Sequence, residues 1–228
     1  MAGLEAERSP EWRDGIGRLW TWPDPPPLVE RYLEAVRGFN ADGALRTYPG
    51  SPALVTTNLR ETDVLAACEL HPDDCAALRR ALPRQANIQV HERDGWEALG
   101  ALLPPPQRRG LVLIDPPYEE PNELDRSARA IGTTLKRFGH GAYLWWRPLK
   151  NEAALDAADA EVRAQGARET LRADLWIAAP QREGKLVGSS VFLINPPFGL
   201  SDALREALPF LASALNKGQS GWRLAPGR

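Results

Sequence analysis

The chain has 228 residues, 43% of them hydrophobic, enough for one good-sized core. Its formal net charge is −2, so no global basic field draws it to nucleic acid, and any such contact has to come from local clusters. No apolar stretch is long enough to span a bilayer, no leader pattern follows Met1, and the two cysteines, Cys68 and Cys75, make neither a disulfide framework nor a zinc spacing, which fits a reduced, cytoplasmic setting.

In chain order, Ser9-Pro10-Glu11 reads as a helix start, with Ser9 as cap and Pro10 at the first position, and Ile16, Leu19 and Trp20 give it an apolar face. After a proline-rich break from Pro23 to Pro27, Leu28, Tyr32, Leu33 and Val36 predict a second amphipathic helix ending near Gly38. These helices are expected to form a small helical subdomain over residues 1–47. From there strands alternate with helices. A short helix opens at Ser51-Pro52, and Val64 to Leu70 is an apolar strand. A helix follows over Asp73 to Leu82, then a strand over Ile88 to His91 and a helix over Trp96 to Leu103. After the strand at Leu111 come a helix over Glu123 to Phe138, a strand over Ala142 to Trp146 and a helix over Glu152 to Gln165. Glu169 to Ala178 and Ser190 to Asn195 read as an antiparallel hairpin, and a last helix spans Ser201 to Leu215. This alternation implies parallel βαβ units, hence an α/β fold over residues 48–228.

The most informative stretch is Leu111-Val-Leu-Ile-Asp-Pro-Pro-Tyr118. Its branched apolar run suits a strand buried on both faces. Pro116 and Pro117 cannot donate to a ladder, so the strand ends there, and each proline holds the residue before it extended. The outcome is a stiff corner with a carboxylate, a free carbonyl and an aromatic ring at the carboxyl edge of the sheet, where open α/β folds bind ligands.

Those groups suit one problem, the methylation of an exocyclic amine on a nucleobase. The nitrogen lone pair is delocalised into the ring, and two acceptors on its two N–H groups favour a pyramidal, nucleophilic nitrogen. The Asp115 carboxylate and the Pro116 carbonyl can be those acceptors. Tyr118 can stack on the base, a contact of ~1–3 kcal/mol. The base has to leave its own stack to reach such a pocket. The plainer alternative is a strand ending in a proline turn with Asp115 capping a helix. The preceding apolar run and the order of elements favour the catalytic reading.

A second copy, Val191-Phe-Leu-Ile-Asn-Pro-Pro-Phe198, competes with the first: Asn195 could accept and Phe198 could stack. It lies at the end of a late strand, whereas Asp115 follows two strands carrying acids of their own. Glu69 ends the first, where a carboxylate can take both hydroxyls of a ribose. Asp94 follows the second and can accept from an adenine amino group, with Gly95 allowing close approach. Taken singly, each is also a reasonable helix cap or surface acid. Arg79, Arg80 and Arg84; Arg108 and Arg109; Arg126, Arg129, Lys136 and Arg137; and Arg147 and Lys150 are the basic clusters available to RNA. His71, His91 and His140 are scattered, so no metal site is expected.

With these residues placed, the chain resembles bacterial 23S rRNA adenine-N6 methyltransferases of the J type. The matching segments are Tyr48-Pro-Gly-Ser-Pro52, Glu69-Leu-His-Pro72, Asp94-Gly95, Arg108 through Glu119, and Ile194-Asn-Pro-Pro197. The resemblance implies a Rossmann-like class I methyltransferase sheet with a small helical insertion, and S-adenosylmethionine as cofactor. It implies cofactor contacts from Ser51, Glu69, Asp94, Gly95 and Asp115, and catalysis by Asp115, Pro116, Pro117 and Tyr118. As partner it implies 23S rRNA free of ribosomal protein, met by a monomer. Neighbouring alternatives are a DNA adenine methyltransferase, a glutamine methylase acting on protein, and a catalytically silent RNA-binding module. Members of that family carry roughly fifty further N-terminal residues, with a first strand and a glycine-rich cofactor loop. No Gly-x-Gly follows a strand ahead of Glu69 here, so the sheet is expected to lack its first strand. Isothermal titration of the chain as given is then expected to show weak S-adenosylmethionine binding; micromolar affinity contradicts that expectation.

Overall fold

Apolar runs too short for helices alternate with amphipathic stretches, and in the computed structural model they fold into a mixed α/β architecture with a central sheet. The structure describes residues 11–178 and 186–226; the expected Ser9-Pro10 helix start lies outside them. The chain divides into two units that part between Asp94 and Gly95.

The first unit begins with two short helices, α1 (Glu11–Asp14) and α2 (Ile16–Leu19), separated at Gly15. Helix α3 (Pro27–Arg37) starts on a proline, which has no amide hydrogen to lose there, and buries Val29, Leu33 and Val36 at helical spacing. Past its end, buried Asn40 donates to the carbonyls of Val36 (2.9 Å) and Thr47 (2.8 Å). Its side-chain oxygen accepts from the amides of Arg46 and Thr47, both at 2.8 Å. One side chain therefore fixes how the chain runs into α4 (Ser51–Thr56). Strand β1 (Leu65–Glu69), helix α5 (Pro72–Ala81) and strand β2 (Ile88–Glu92) follow. The two strands pair in parallel, from Leu65 opposite Ile88 to Glu69 opposite Glu92, and α5 packs on both.

The second unit contains α6 (Gly95–Leu102), β3 (Leu111–Ile114), α7 (Glu123–Leu135), β4 (Ala142–Pro148) and α8 (Glu152–Ala164). The antiparallel pair β5 (Thr170–Trp176) and β6 (Gly188–Ile194) comes next, then α9 (Leu200–Ala214) and β7 (Gly221–Pro226). The sheet order is β3-β4-β6-β5-β7; β3 and β4 are parallel and the remaining pairs antiparallel. Ile114, Tyr143, Trp145, Phe192 and Ile194 meet Leu99, Ile131, Leu135, Phe138 and Val162 in the main core.

Two expectations change. Strand β3 is not buried on both faces: Ile114 enters the core, but Leu111 and Leu113 are 65% and 43% exposed. The strand pairs only with β4 among the described residues, and the core helices cover only the Ile114 face. Strand β7 has no counterpart in the sequence reading. Its Gly-Trp-Arg-Leu-Ala-Pro run is bounded by turn formers and carries a charge at its centre, and its partner β5 decides its conformation.

That central charge, Arg223, belongs to a network that composition conceals. Arg147, on β4, is fully buried, which removes it from the basic clusters available to RNA. It pairs with Asp159 of α8, donates to Ser190 of β6 at 3.0 Å and stacks over Trp145 and Phe192. Arg172 of β5 binds Asp174 at 2.9 Å, Asp156 at 2.5 Å and Asp159 at 3.3 Å. Arg223 reaches Asp174 at 2.5 and 2.9 Å and also pairs with Glu152. Desolvation alone pushes the Asp174 carboxyl up, but hydrogen bonds from Arg172, Ser190 and Arg223 outweigh it and hold the group below the usual carboxylate range.

Removing one member of a buried charge pair leaves the other uncompensated. Asp174→Asn is therefore expected to lower the unfolding free energy by about 3–5 kcal/mol, read from urea denaturation at neutral pH. Because the folded-state pKa of Asp174 is depressed, its contribution is complete above the unfolded carboxylate value and fades as pH falls towards the folded one. The gap between wild type and Asp174→Asn should accordingly narrow in acid.

Candidate active site

In the first unit, Ser51 opens α4, which packs against β1. Glu69 is the last residue of β1, and its carboxylate accepts from the His71 amide at 2.9 Å. The Glu69 carbonyl accepts from the Arg93 amide at 3.1 Å, so Asp94 comes to the same edge of the β1–β2 pair as Glu69. Tyr48, which precedes this segment, shares a 2.7 Å hydrogen bond with Tyr32 of α3. Parallel pairing thus brings two of the expected cofactor acids together.

In the second unit, Gly95 opens α6, and a Cβ built there would meet nothing within 4 Å. The next side chain, Trp96, carries the Arg126 guanidinium 3.9 Å from its ring centroid and donates its indole N–H to Ser127 at 3.0 Å. Asp115 follows the last residue of β3, with Pro116 half-buried and Pro117 exposed behind it. The residue is exposed overall, yet desolvation by its surroundings raises the pKa of its carboxyl.

Tyr118 is held more tightly than the sequence suggested. Its backbone is left-handed, with φ at 56°, a conformation that costs a bulky residue energy and persists where the surroundings enforce it. Strand β4 supplies the enforcement. The phenol donates to the Trp146 carbonyl at 2.7 Å and accepts from the Trp145 indole N–H at 2.8 Å, and the ring lies 5.9 Å from that of Trp146 at 56°. Burial pushes the phenol well above its usual range. The hydroxyl is therefore an anchor, and the ring a platform fixed in orientation. Trp145 and Trp146 were missed as site residues, since in the sequence they are only strand positions. Glu123, read only as the start of a helix, is buried with one carboxylate oxygen unmatched, and its charge acts on the Tyr118 phenol.

The two proline motifs lie at opposite ends of the sheet. Strand β6 runs antiparallel to β4, so the chain leaves Ile194 beside Tyr143 towards the start of β4, whereas it leaves Ile114 beside Trp145, at mid-strand, towards the end of β4. The Asn195 amide donates to the carbonyls of Gly139 (2.9 Å) and Gly141 (2.7 Å). It clamps a loop and is offset from the Asp115 corner by ~13 Å along the strand direction, with β4 between the two strands.

What fold and geometry define is an α/β protein with carboxylates at the carboxyl ends of its parallel strands, the edge at which such folds hold ligands. A profile of the family described as "Ribosomal RNA large subunit methyltransferase D, RlmJ" matches residues 1–225. The chain is 37% identical over 215 residues to Ribosomal RNA large subunit methyltransferase J of Escherichia coli K12, covering 94% of this chain and 77% of that protein. It is 36% identical over 224 residues to the protein of the same name from Haemophilus influenzae, covering 97% and 80%. A crystal structure of protein LPL1258 from Legionella pneumophila superposes with a TM-score of 0.88 at 32% identity, covering 95% of this chain and 81% of that one. The chain belongs to the J family of ribosomal RNA large subunit methyltransferases.

Tyr118→Phe keeps the ring and removes the anchor, leaving the buried Trp145 N–H without its acceptor. It is expected to cost about 1–3 kcal/mol of stability, measured by denaturant unfolding, and to free the Trp146 fluorescence from its fixed contact.

Proposed function

We propose that this chain transfers a methyl group from S-adenosylmethionine to the N6 amino group of an adenine in 23S rRNA, on a Rossmann-like methyltransferase sheet. The observation that carries the reading is the Asp115-Pro116-Pro117-Tyr118 corner, locked on β4 through the Tyr118 hydroxyl. The chemistry of the donor set fits the adenosine part of the cofactor: Glu69 and Asp94 are acceptors at one edge, suited to ribose hydroxyls and an adenine amine, and the space beside Gly95 is open. Ser51 completes the set. When bound, the cofactor supplies an electrophilic methyl on sulfonium.

The chain's own residues do the rest. Asp115 accepts one N–H of the target amine and the Pro116 carbonyl accepts the other, so the nitrogen lone pair is directed out of conjugation. Neither acceptor has to reorganise, because the prolines fix the backbone that presents both, and preorganised dipoles are the largest usual source of rate enhancement. Tyr118 stacks on the flipped base and sets its plane. Stacking tolerates any base, so the two acceptors are what select an amine.

Labelled methyl transfer to deproteinised 23S rRNA is the test. Asp115→Ala should lower kcat by at least a hundredfold, in line with the loss of one preorganised transition-state contact. Asn195→Ala should retain the chemistry, and the opposite pattern would transfer the role to the second motif. The ionised Asp115 is the stronger acceptor, since protonation turns one of its oxygens into a donor and removes the charge, and desolvation raises its pKa. Activity should therefore fall as pH drops, along a limb shifted up from the ordinary aspartate value, and Asp115→Asn should lack that limb.

A further inference from the structure

The end of the sheet opposite Asp115 collects four loops: 103–110 before β3, 136–141 before β4, 165–169 before β5 and 195–199 after β6. They are bonded into one surface. Asn195 donates to Gly139 and Gly141, its own amide donates to the Glu169 carbonyl at 2.8 Å, and the His140 ring meets the Arg108 carbonyl at 2.7 Å. Two of these loops hold non-glycine residues in the left-handed region, Arg108 at φ 58° and Asn195 at φ 50°. Arg137 is tied in turn to the Gly100 carbonyl at 2.8 Å.

The composition of this surface departs from that of the chain. The four loops carry Arg108, Arg109, Lys136, Arg137 and Arg168 against a single acid, Glu169, with His140 among them, while the chain as a whole is at −2. Arg108, Arg109, Lys136, Arg137, His140 and Arg168 are all exposed. In the same surface the Phe198 ring is completely uncovered, at 108% relative exposure. A lone exposed apolar residue needs no explanation. A bare aromatic on a rigid turn, within a concentration of cations in an otherwise slightly acidic protein, is the combination that grips unpaired nucleic acid: phosphates on the cations, a base on the ring.

We propose that this surface is a second RNA contact, remote from the target adenine, which takes an unpaired segment of the same RNA, with Phe198 stacking on a base and Arg108, Arg109, Lys136 and Arg168 on phosphates. The inference rests on the RNA substrate proposed above. It assigns this surface a share of affinity and none of the chemistry, because the Asp115 corner lies at the other end of the sheet.

The test is filter binding of the full chain to deproteinised 23S rRNA over a range of salt, run beside methyl transfer on the same RNA. Phe198→Ala should weaken binding about tenfold, and Arg109→Ala with Lys136→Ala by about as much. The double variant should also lower the slope of log K against log salt by about two, one for each cation removed. KM should rise in step, with kcat at saturating RNA unchanged. Unaltered affinity and slope in all these variants overturn the proposal. So does a Phe198→Ala protein that binds RNA normally but sediments as a smaller species, because the surface then joins copies of the chain. Binding is read independently of transfer. A wild-type chain that binds this RNA through the surface yet transfers no methyl to it refutes the proposed reaction and leaves the surface assignment standing.

Discussion

Two arginines held out of water, Arg147 on β4 and Arg172 on β5, constrain how the strands of the second unit can pair. Each unpaired buried ion costs several kcal/mol, so the fold is viable only where carboxylates meet them. Asp159 comes from α8, Asp174 from β5 itself, and Ser190 from the strand between. A one-residue slip of any of these strands would turn the charged side chains to the opposite face and strand the ions. The network therefore fixes the register of β4, β6 and β5 together. It also recruits β7, whose Arg223 closes on Asp174.

The same strand passes that constraint to the candidate site. Tyr143, Trp145 and Arg147 share the buried face of β4, and Trp145 and Trp146 anchor the Tyr118 hydroxyl. The Tyr118 ring is thus one step removed from the charge network. Strand direction, more than local sequence, separates the two proline motifs. Both have a four-residue apolar run, a pair of prolines and an aromatic. One ends a strand parallel to β4 and comes to the carboxyl edge; the other ends an antiparallel strand and comes to the opposite edge, where its amide clamps two carbonyls.

The sequence made the periodic elements legible because their signals are local. Spacing at 29, 33 and 36 marks a helix face, and short apolar runs between helices mark parallel strands. The order of Glu69, Asp94 and Asp115 along successive strands was readable for the same reason. Long-range pairing was not. Strand β7 exists because β5 offers an edge, and no periodicity in Gly221 to Pro226 announces it. Arg147 resembles a surface cation until Asp159, twelve residues on, is seen to turn inward. Asn40, which sets the path into the Ser51 helix, is an ordinary loop residue in sequence; its role comes from satisfying four backbone groups at once. The hydroxyl anchor of Tyr118 is hidden similarly, since nothing near position 118 indicates which carbonyl it meets.

A net charge of −2 has a consequence for how such a protein engages RNA. Without a broad positive field, long-range steering is weak, and affinity has to come from short-range contacts within about a Debye length, ~8 Å at physiological salt. In the second unit the proposed acceptor, Asp115, stands at the carboxyl end of β3, where a nearby arginine would compete for it. Separating the two demands across the sheet resolves the conflict. In the proposed reading the acceptor for an amine, Asp115, stands at one end of this sheet and the cations for phosphate at the other. The β4 register, locked by buried ion pairs, holds the Asp115 corner and the Asn195 turn at a fixed distance.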